Sequence, residues 1–161
     1  MSGLRLGALQ RNHRGRLREI LDATAVFKPE EVDVALELFD ESPRTPSDYE
    51  FIGAFADDGE LVGYASFGPT PGTDRTYDLY WIATHPDAQG RGTGSRLLAE
   101  VEQRLSNRNA RLLVVETSSR EAYAPTRRFY QTRGYAEVAR VRGFYAPDDD
   151  RVIYTKRLTG P

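Results

Sequence analysis

The sequence predicts a single domain over residues 1–161 of the α/β (α+β) class: a central mixed, mostly antiparallel sheet of about six to seven strands with about four helices on its faces. Three stretches carry this prediction. Two strand-like runs flank Asp57–Glu60, where Asp-Gly supplies the positive φ angles of a tight hairpin turn. Leu112–Val115 is an apolar run bounded by polar residues, typical of a strand buried on both faces in a parallel pair. Ser95–Leu105 carries an apolar stripe at helical spacing, as expected for the crossover helix of such a pair.

The first half of the chain begins with a strand and two helices. Leu4–Leu9 is predicted to be a strand because apolar and other residues roughly alternate. From Asn12 the pattern becomes helical, and a second helix opens at Pro29, since proline suits the first helical position. The hairpin strands then cover Tyr49–Ala56 and Leu61–Phe67.

The second half adds the last helix and three strands. The helix is predicted over Pro125–Arg133, because proline disfavours helical conformation in the residue before it. The turn that contains Asp148–Asp150 is expected to be solvated. The strands are predicted at Tyr77–Thr84, Tyr135–Tyr145 and Arg151–Leu158.

Composition narrows the class of protein. Hydrophobic content of 39% and charged content of 29% are those of a globular domain, and the net charge of −2 gives no support to general nucleic-acid affinity. Five basic residues near the N-terminus leave an RNA-binding accessory domain open, although a solvated helix face explains them more simply. The absence of cysteine excludes disulfides and thiolate metal sites, and two histidines fall short of a metal-ligand set. Neither a membrane span nor a signal peptide is found, which predicts a cytoplasmic protein that does not bind membranes.

The stretch Gln89–Gly94 places three glycines in five residues at a strand-to-helix junction. The first N–H groups of a helix lack intrahelical partners and carry partial positive charge, and glycines let an anion approach them. The Walker pattern fails because Ser95-Arg96 follow in place of Lys and Ser or Thr. The dinucleotide fingerprint fails because Ser95 or Leu97 occupies the place of its last glycine. The remaining pattern is Q-x-x-G-x-G.

This Q-x-x-G-x-G turn resembles the acyl-CoA pyrophosphate loop of the GNAT superfamily of N-acetyltransferases. A second segment, Arg128–Tyr135, is similar to the family segment in which a tyrosine, here Tyr130, is followed four residues later by glycine and then an aromatic residue. The order of predicted elements also resembles the whole GNAT domain. The resemblance implies a sheet splayed at the strand before the glycine turn, with the acyl-pantetheine in the opening.

The resemblance further implies acetyl-CoA as co-substrate and no metal. Backbone groups of the strand before the turn, and of the turn itself, would contact acetyl-CoA. N–H groups that face the thioester oxygen would stabilise the negative charge that forms on this oxygen during attack. The implied cofactor-binding residues are Ile82, Ala83, Thr84, Gln89, Gly90, Arg91, Gly92, Thr93, Gly94 and Ser95.

Two residues are catalytic candidates for acetyl transfer to a primary amine. Tyr130 lies where the family carries the tyrosine that protonates the departing CoA thiolate. Glu116, after the apolar run, resembles the glutamate of bacterial enzymes that acetylate the N-terminus of a ribosomal protein, and it is the candidate base. Asp78 and Tyr80 compete with Glu116 as proton relay or as acceptor-binding residues.

Phe27 and Tyr145, together with Asp78 and Tyr80, are expected on the acceptor side, because acidic and aromatic linings suit a cationic amine. The acceptor itself, a small molecule or a peptide or protein amine, stays open, and so does a homodimer. An alternative function is a catalytically silent acyl-CoA-binding or sensing module on the same fold.

Overall fold

The structure, a computed structural model, describes residues 3–41 and 49–159. Within these residues, seven strands form one mixed sheet in the order β1-β2-β3-β4-β5-β7-β6, accompanied by four α-helices. The strands are β1 (Arg5–Gly7), β2 (Glu50–Phe55), β3 (Leu61–Pro69), β4 (Thr76–Thr84), β5 (Leu112–Ser118), β6 (Ala136–Ala146) and β7 (Asp149–Arg157). The helices are α1 (Arg14–Ala23), α2 (Pro29–Glu41), α3 (Thr93–Asn107) and α4 (Ala124–Gln131). The predicted α/β (α+β) class and the mixed, mostly antiparallel sheet are confirmed.

Some boundaries differ from the predicted ones. Strand β1 has three residues, and α3 begins two residues before Ser95. Helix α4 begins at Ala124, ahead of Pro125, and ends at Gln131. The restriction that proline places on its predecessor is overridden, since Ala124 is helical with φ −56° and ψ −43°. Pro125 then lies in the first turn, where its missing N–H costs no intrahelical hydrogen bond.

The chain divides into two compact units, and the first comprises Met1–Gly68 and Tyr80–Arg104. Its core joins the apolar faces of α1 and α2 to strands β2, β3 and β4. Full burial of each leucine or isoleucine here stabilises the unit by about 1.5–3 kcal/mol. The buried residues are Leu17, Ile20, Leu21, Val32, Ala35, Leu36, Phe39, Phe55, Leu61, Tyr64 and Ala83.

The second unit comprises Pro69–Leu79 and Leu105–Pro161, with β5 at its centre. Strand β5 pairs in parallel with β4 from Thr76↔Leu112 to Leu79↔Val115, and antiparallel with β7 along its whole length. Leu113 and Val115 are buried, whereas Leu112 and Val114 are only half-buried. The parallel pair is confirmed, but the apolar run is fully buried on one face only. The other face is therefore the one on which polar residues of β5 can meet solvent.

Candidate active site

The glycine turn connects β4 to α3 in the first unit. Gly90 and Gly92 have φ angles of +78° and +76°, which L side chains rarely adopt. A Cβ built at either position meets no atom within 4 Å, so the backbone conformation, and not crowding, requires glycine. The first hydrogen bond of α3 runs from the Arg96 N–H to the Gly92 carbonyl at 2.9 Å. The N–H groups ahead of it have no acceptor within the helix, as at any helix N-terminus.

Side chains of the motif hold the turn at both ends. The Gln89 amide donates to the Thr84 carbonyl at 3.3 Å, so the glutamine of the motif closes the end of β4. The Thr93 hydroxyl donates to the Ala88 carbonyl at 3.3 Å. The fixed ends preorganise the backbone amides between them.

Gly63 on β3 also shapes this region, and the sequence analysis missed it. A Cβ at this position would lie 3.0 Å from the Ala83 carbonyl oxygen, 3.2 Å from Thr93 and 3.3 Å from Leu97. Glycine here lets β3 approach β4 and α3 closely. Its sequence signal, an isolated glycine inside a strand pattern, was present but has several explanations.

The three strand residues predicted to contact the cofactor lie at the end of β4. Ala83 is buried, and Ile82 and Thr84 are half-buried. The register of β4 with β5 runs as far as Leu79, and these three residues lie beyond it along the strand.

Two of the predicted acceptor-side residues lie in aromatic pairs of the first unit. Phe27 makes an edge-to-face contact with Trp81, with ring centroids 5.3 Å apart, and both rings pack on the core of this unit. Tyr80 makes a similar contact with Tyr49 at 5.5 Å. Packing thus explains the position of Phe27 without a ligand, whereas Tyr80 is only half-buried.

Tyr130 lies on α4 in the second unit and is 3% exposed. Its ring contacts Tyr135 and Tyr154, with centroids 5.6 and 6.4 Å away. Burial raises the pKa of the Tyr130 phenol above its ordinary value. The group therefore stays protonated at neutral pH and can act as a hydrogen-bond or proton donor.

The connection between β5 and α4 is fixed by Asp149, which is 2% exposed. The carboxylate accepts hydrogen bonds from the Ser118 hydroxyl and, at 3.2 Å, from the Ser119 N–H. Arg120 Nε lies 3.5 Å from the second carboxylate oxygen. The prediction of a solvated turn is wrong for Asp149, because β7 begins at this residue and turns its side chain toward polar partners 30 residues away in the chain.

Three charged side chains form a cluster on the second unit: Asp78 of β4, Glu116 of β5 and Arg151 of β7. Glu116 Oε1 accepts a hydrogen bond from Arg151 Nη2. The Arg151 guanidinium also lies over the Phe144 ring, 4.9 Å from its centroid. Asp78 Oδ2 accepts from the Thr70 hydroxyl at 2.8 Å.

Burial is the main cause that raises the pKa of the Asp78 carboxyl. The Thr70 hydrogen bond opposes this shift, the Glu116 charge adds to it, and the Arg151 charge opposes it. Asp78 therefore keeps its proton to higher pH than an ordinary aspartate does.

A bulge on β6 delivers Phe144 to the cluster. The register of β6 against β7 shifts between Val141 and Ala146, so the residues between them protrude. Asp150 anchors this segment: it accepts from the Gly143 N–H at 2.9 Å and from Arg140 at 3.0 Å. Tyr145, predicted on the acceptor side, lies in the same bulge with its ring 4.9 Å from that of Phe144.

The structure thus brings together two of the predicted polar residues, Asp78 and Glu116, and adds Arg151, which the sequence analysis missed. Arg151 follows a run of aspartates in the sequence and carries no motif. Its partner, Glu116, is 35 residues away, and only the strand register brings them side by side.

Comparison with known proteins defines the class to which this fold and turn belong. The model of the acetyltransferase (GNAT) family matches residues 15–135. A crystal structure of a proposed GNAT acetyltransferase from Desulfovibrio desulfuricans is 42% identical, with a TM-score of 0.89 over 99% of this chain and 100% of that chain. No curated protein sequence matches the chain. The chain belongs to the acetyltransferase (GNAT) family.

More distant structures share the fold. The ribosomal-protein-S18-alanine N-acetyltransferase from Escherichia coli is 18% identical, with a TM-score of 0.79 over 98% of this chain and 96% of that chain. A proposed acetyltransferase from Salmonella typhimurium, solved with its cofactor acetyl-CoA, is 18% identical, with a TM-score of 0.76 over 99% and 96%. Among the residues that the structure describes, no helix has the length and apolar character needed to cross a membrane.

Proposed function

We propose that this protein transfers the acetyl group of acetyl-CoA to a primary amine by direct attack in a ternary complex. The observation that carries the proposal is the glycine turn ahead of α3, with two positive-φ glycines and open space beside them. Membership of the acetyltransferase (GNAT) family supports acetyl transfer as the reaction. The Salmonella protein with the same fold was solved with acetyl-CoA, which supports this co-substrate.

The turn binds the pyrophosphate of acetyl-CoA in this proposal. The backbone amides proposed for this contact are those of Gly90–Ser95, near the positive end of the α3 dipole, since the Gln89 N–H already donates to the Pro86 carbonyl at 3.2 Å. The side-chain hydrogen bonds of Gln89 and Thr93 fix the turn. Backbone groups of Ile82, Ala83 and Thr84 contact the pantetheine arm. No metal takes part.

Tyr130 donates a proton to the thiolate of CoA as the carbon–sulfur bond breaks. The phenol is protonated at neutral pH, which this role requires. A different group must accept a proton from the acceptor, because deprotonating a lysine side chain at pH 7 costs about 4–5 kcal/mol, and an α-amine about 1 kcal/mol. Glu116 and Asp78 are the carboxylates proposed for this step. Tyr80, Tyr145 and Phe27 would line the acceptor side, where aromatic rings favour a cation.

The test is free-thiol release from acetyl-CoA across a panel of primary amines: spermidine, tyramine, lysine, ethylamine and an alanyl peptide. We expect the wild type to release thiol only when an amine is present. The Gly92→Glu variant should release none, because its carboxylate would repel the pyrophosphate. Gly72→Glu is the matched control, because Gly72 has a similar φ of +74° in the β3–β4 loop.

Each other outcome contradicts part of the proposal. Tight acetyl-CoA binding in calorimetry with no release for any amine would favour the silent acyl-CoA-binding module. No binding of acetyl-CoA would overturn the cofactor assignment itself. Equal release by Gly92→Glu and wild type would remove the turn from the site.

A further inference from the structure

The two carboxylates of the charged cluster differ in how their charge is balanced. Glu116 is paired with Arg151 through a charge-assisted hydrogen bond. Glu116 is also the more exposed of the two, since its side chain is 36% exposed and Asp78 is half-buried.

Arg151 is itself held in place from the other side. Its guanidinium lies over the Phe144 ring, and Phe144 belongs to the bulge that Asp150 anchors through Gly143 and Arg140. The arginine therefore has a second reason to remain beside Glu116. The opposite charges of Glu116 and Arg151 offset each other in this pair.

Among the described residues, no cation forms an ion pair or a hydrogen bond with Asp78. Its Oδ2 accepts from the neutral Thr70 hydroxyl, and, within residues 3–41 and 49–159, its Oδ1 receives no hydrogen bond. The strand register places Asp78 opposite Val114, two residues before Glu116 on β5. Asp78 thus feels the Arg151 charge without bonding to it, whereas Glu116 bonds to Arg151 directly.

We propose that Asp78 accepts the proton of the acceptor amine, and that Glu116 and Arg151 are positioning residues that control its charge. This inference rests on the proposed acetyl transfer and names the residue that makes the amine nucleophilic.

The proton balance of the step is complete without a further reactant. The ammonium gives one proton to the Asp78 carboxylate, and the amine lone pair forms a bond to the thioester carbonyl carbon. The carbon–sulfur bond breaks with its electron pair on sulfur, which takes the Tyr130 proton. The nitrogen loses its second proton, which restores Tyr130 through solvent, and Asp78 releases its proton to solvent. Acetyl-CoA and an ammonium thus give an amide, CoA and one proton.

The pH dependence follows from the groups that face Asp78, namely Thr70, Glu116 and Arg151. Burial raises the pKa of Asp78, so the acid limb of kcat/KM should lie above the ordinary titration of an aspartate. Removing the Glu116 charge lowers the pKa of Asp78 and should move the limb to lower pH. Removing the Arg151 charge raises this pKa and should move the limb to higher pH.

The first experiment compares thiol release with ethylamine and with 2,2,2-trifluoroethylamine, which is largely unprotonated at neutral pH. Asp78→Asn should lower kcat/KM for ethylamine by about 10²–10⁴-fold, the usual contribution of a general base, and much less for the fluorinated amine. Asp148→Asn, an exposed aspartate of the β6–β7 turn, is the matched control and should match the wild type.

The second experiment records pH profiles of kcat/KM for Glu116→Gln and Arg151→Gln, and follows the Asp78 carboxyl by ¹³C NMR. Opposite displacements of the acid limb, matched by the NMR titration, are expected. If Asp78→Asn leaves turnover with ethylamine within about twofold of the wild type, the inference is overturned while the acetyl transfer stands. If the acid limbs of the Glu116→Gln and Arg151→Gln profiles do not move in opposite directions, the inference is also overturned. If the wild type binds acetyl-CoA but acetylates no amine, the proposed function fails first, and the role of Asp78 fails with it.

Discussion

The glycine turn and the charged cluster are built in different ways. The turn is made of consecutive residues, Gln89–Gly94, and its proposed ligands are backbone amides whose direction follows from two positive φ angles. The cluster is made of the side chains of Asp78, Glu116 and Arg151, which come from three strands and meet through the sheet register. A backbone site tolerates many side chains but few changes of conformation. A site made of side chains is sensitive to the identity of each side chain and less sensitive to small changes of the backbone.

The largest effect on turnover should come from removing the phenol oxygen of Tyr130. Tyr130→Phe keeps the ring that packs against Tyr135 and Tyr154, so the free energy of unfolding and the affinity for acetyl-CoA should stay close to wild type. Turnover should fall by about 10²–10⁴-fold because the proton donor is lost. Steady-state thiol release and calorimetry check both statements, and Tyr135→Phe controls for a buried hydroxyl elsewhere. Unchanged turnover would remove Tyr130 from the mechanism.

Asp149→Asn tests whether the hydrogen bonds of Asp149 stabilise the connection between β5 and α4. The variant weakens the bonds to Ser118 and Ser119 and removes the charge that faces Arg120. The free energy of unfolding should fall by about 1–3 kcal/mol, the usual cost of disturbing a buried charged hydrogen-bond network. Urea unfolding measures the change, with Asp148→Asn as the solvated neighbour. A loss no larger than that of the control would show that the network does not stabilise the fold.

Gly92→Ala tests whether the turn acts through its backbone. Alanine at a φ of +76° should cost about 1–2 kcal/mol of stability, and Gly72→Ala, at +74°, should cost a similar amount. Only Gly92→Ala should also weaken acetyl-CoA binding, by roughly tenfold, because either the methyl group or a relaxed backbone would disturb the amides. Calorimetric titration separates the two variants. Equal affinities would place the pyrophosphate elsewhere.

The smallest effect concerns the contact between Phe144 and Arg151. A cation–π contact at a partly exposed site contributes about 0.5–1 kcal/mol. A double-mutant cycle of Phe144→Ala and Arg151→Gln, followed by urea unfolding, should give a coupling of that size. Val138→Ala, an exposed apolar residue of the same strand, should show no coupling to Arg151→Gln. Zero coupling for Phe144 would mean that the bulge does not hold the arginine.

Local patterns predicted most elements of the fold. The Asp-Gly turn between β2 and β3, the apolar stripe of α3 and the opening of α2 at Pro29 depend on backbone preference and periodicity, which adjacent residues carry. The predictions failed where residues far apart in the sequence determine whether a side chain is buried. Asp149 looked like part of a solvated turn, yet its hydrogen bonds to Ser118 and Ser119 bury it.

The sequence by itself determined the glycine turn, the position of Tyr130 on the last helix and the resemblance to the GNAT family. These features are contiguous, and helix dipoles and positive φ angles are properties of short segments. Only the tertiary structure decided that Glu116 is paired with Arg151, that a bulge supplies Phe144 to this pair, and that Asp78 lies beside it and bonds to the neutral Thr70 hydroxyl. The reason is physical: charge compensation depends on distances between side chains, and register and bulges set those distances.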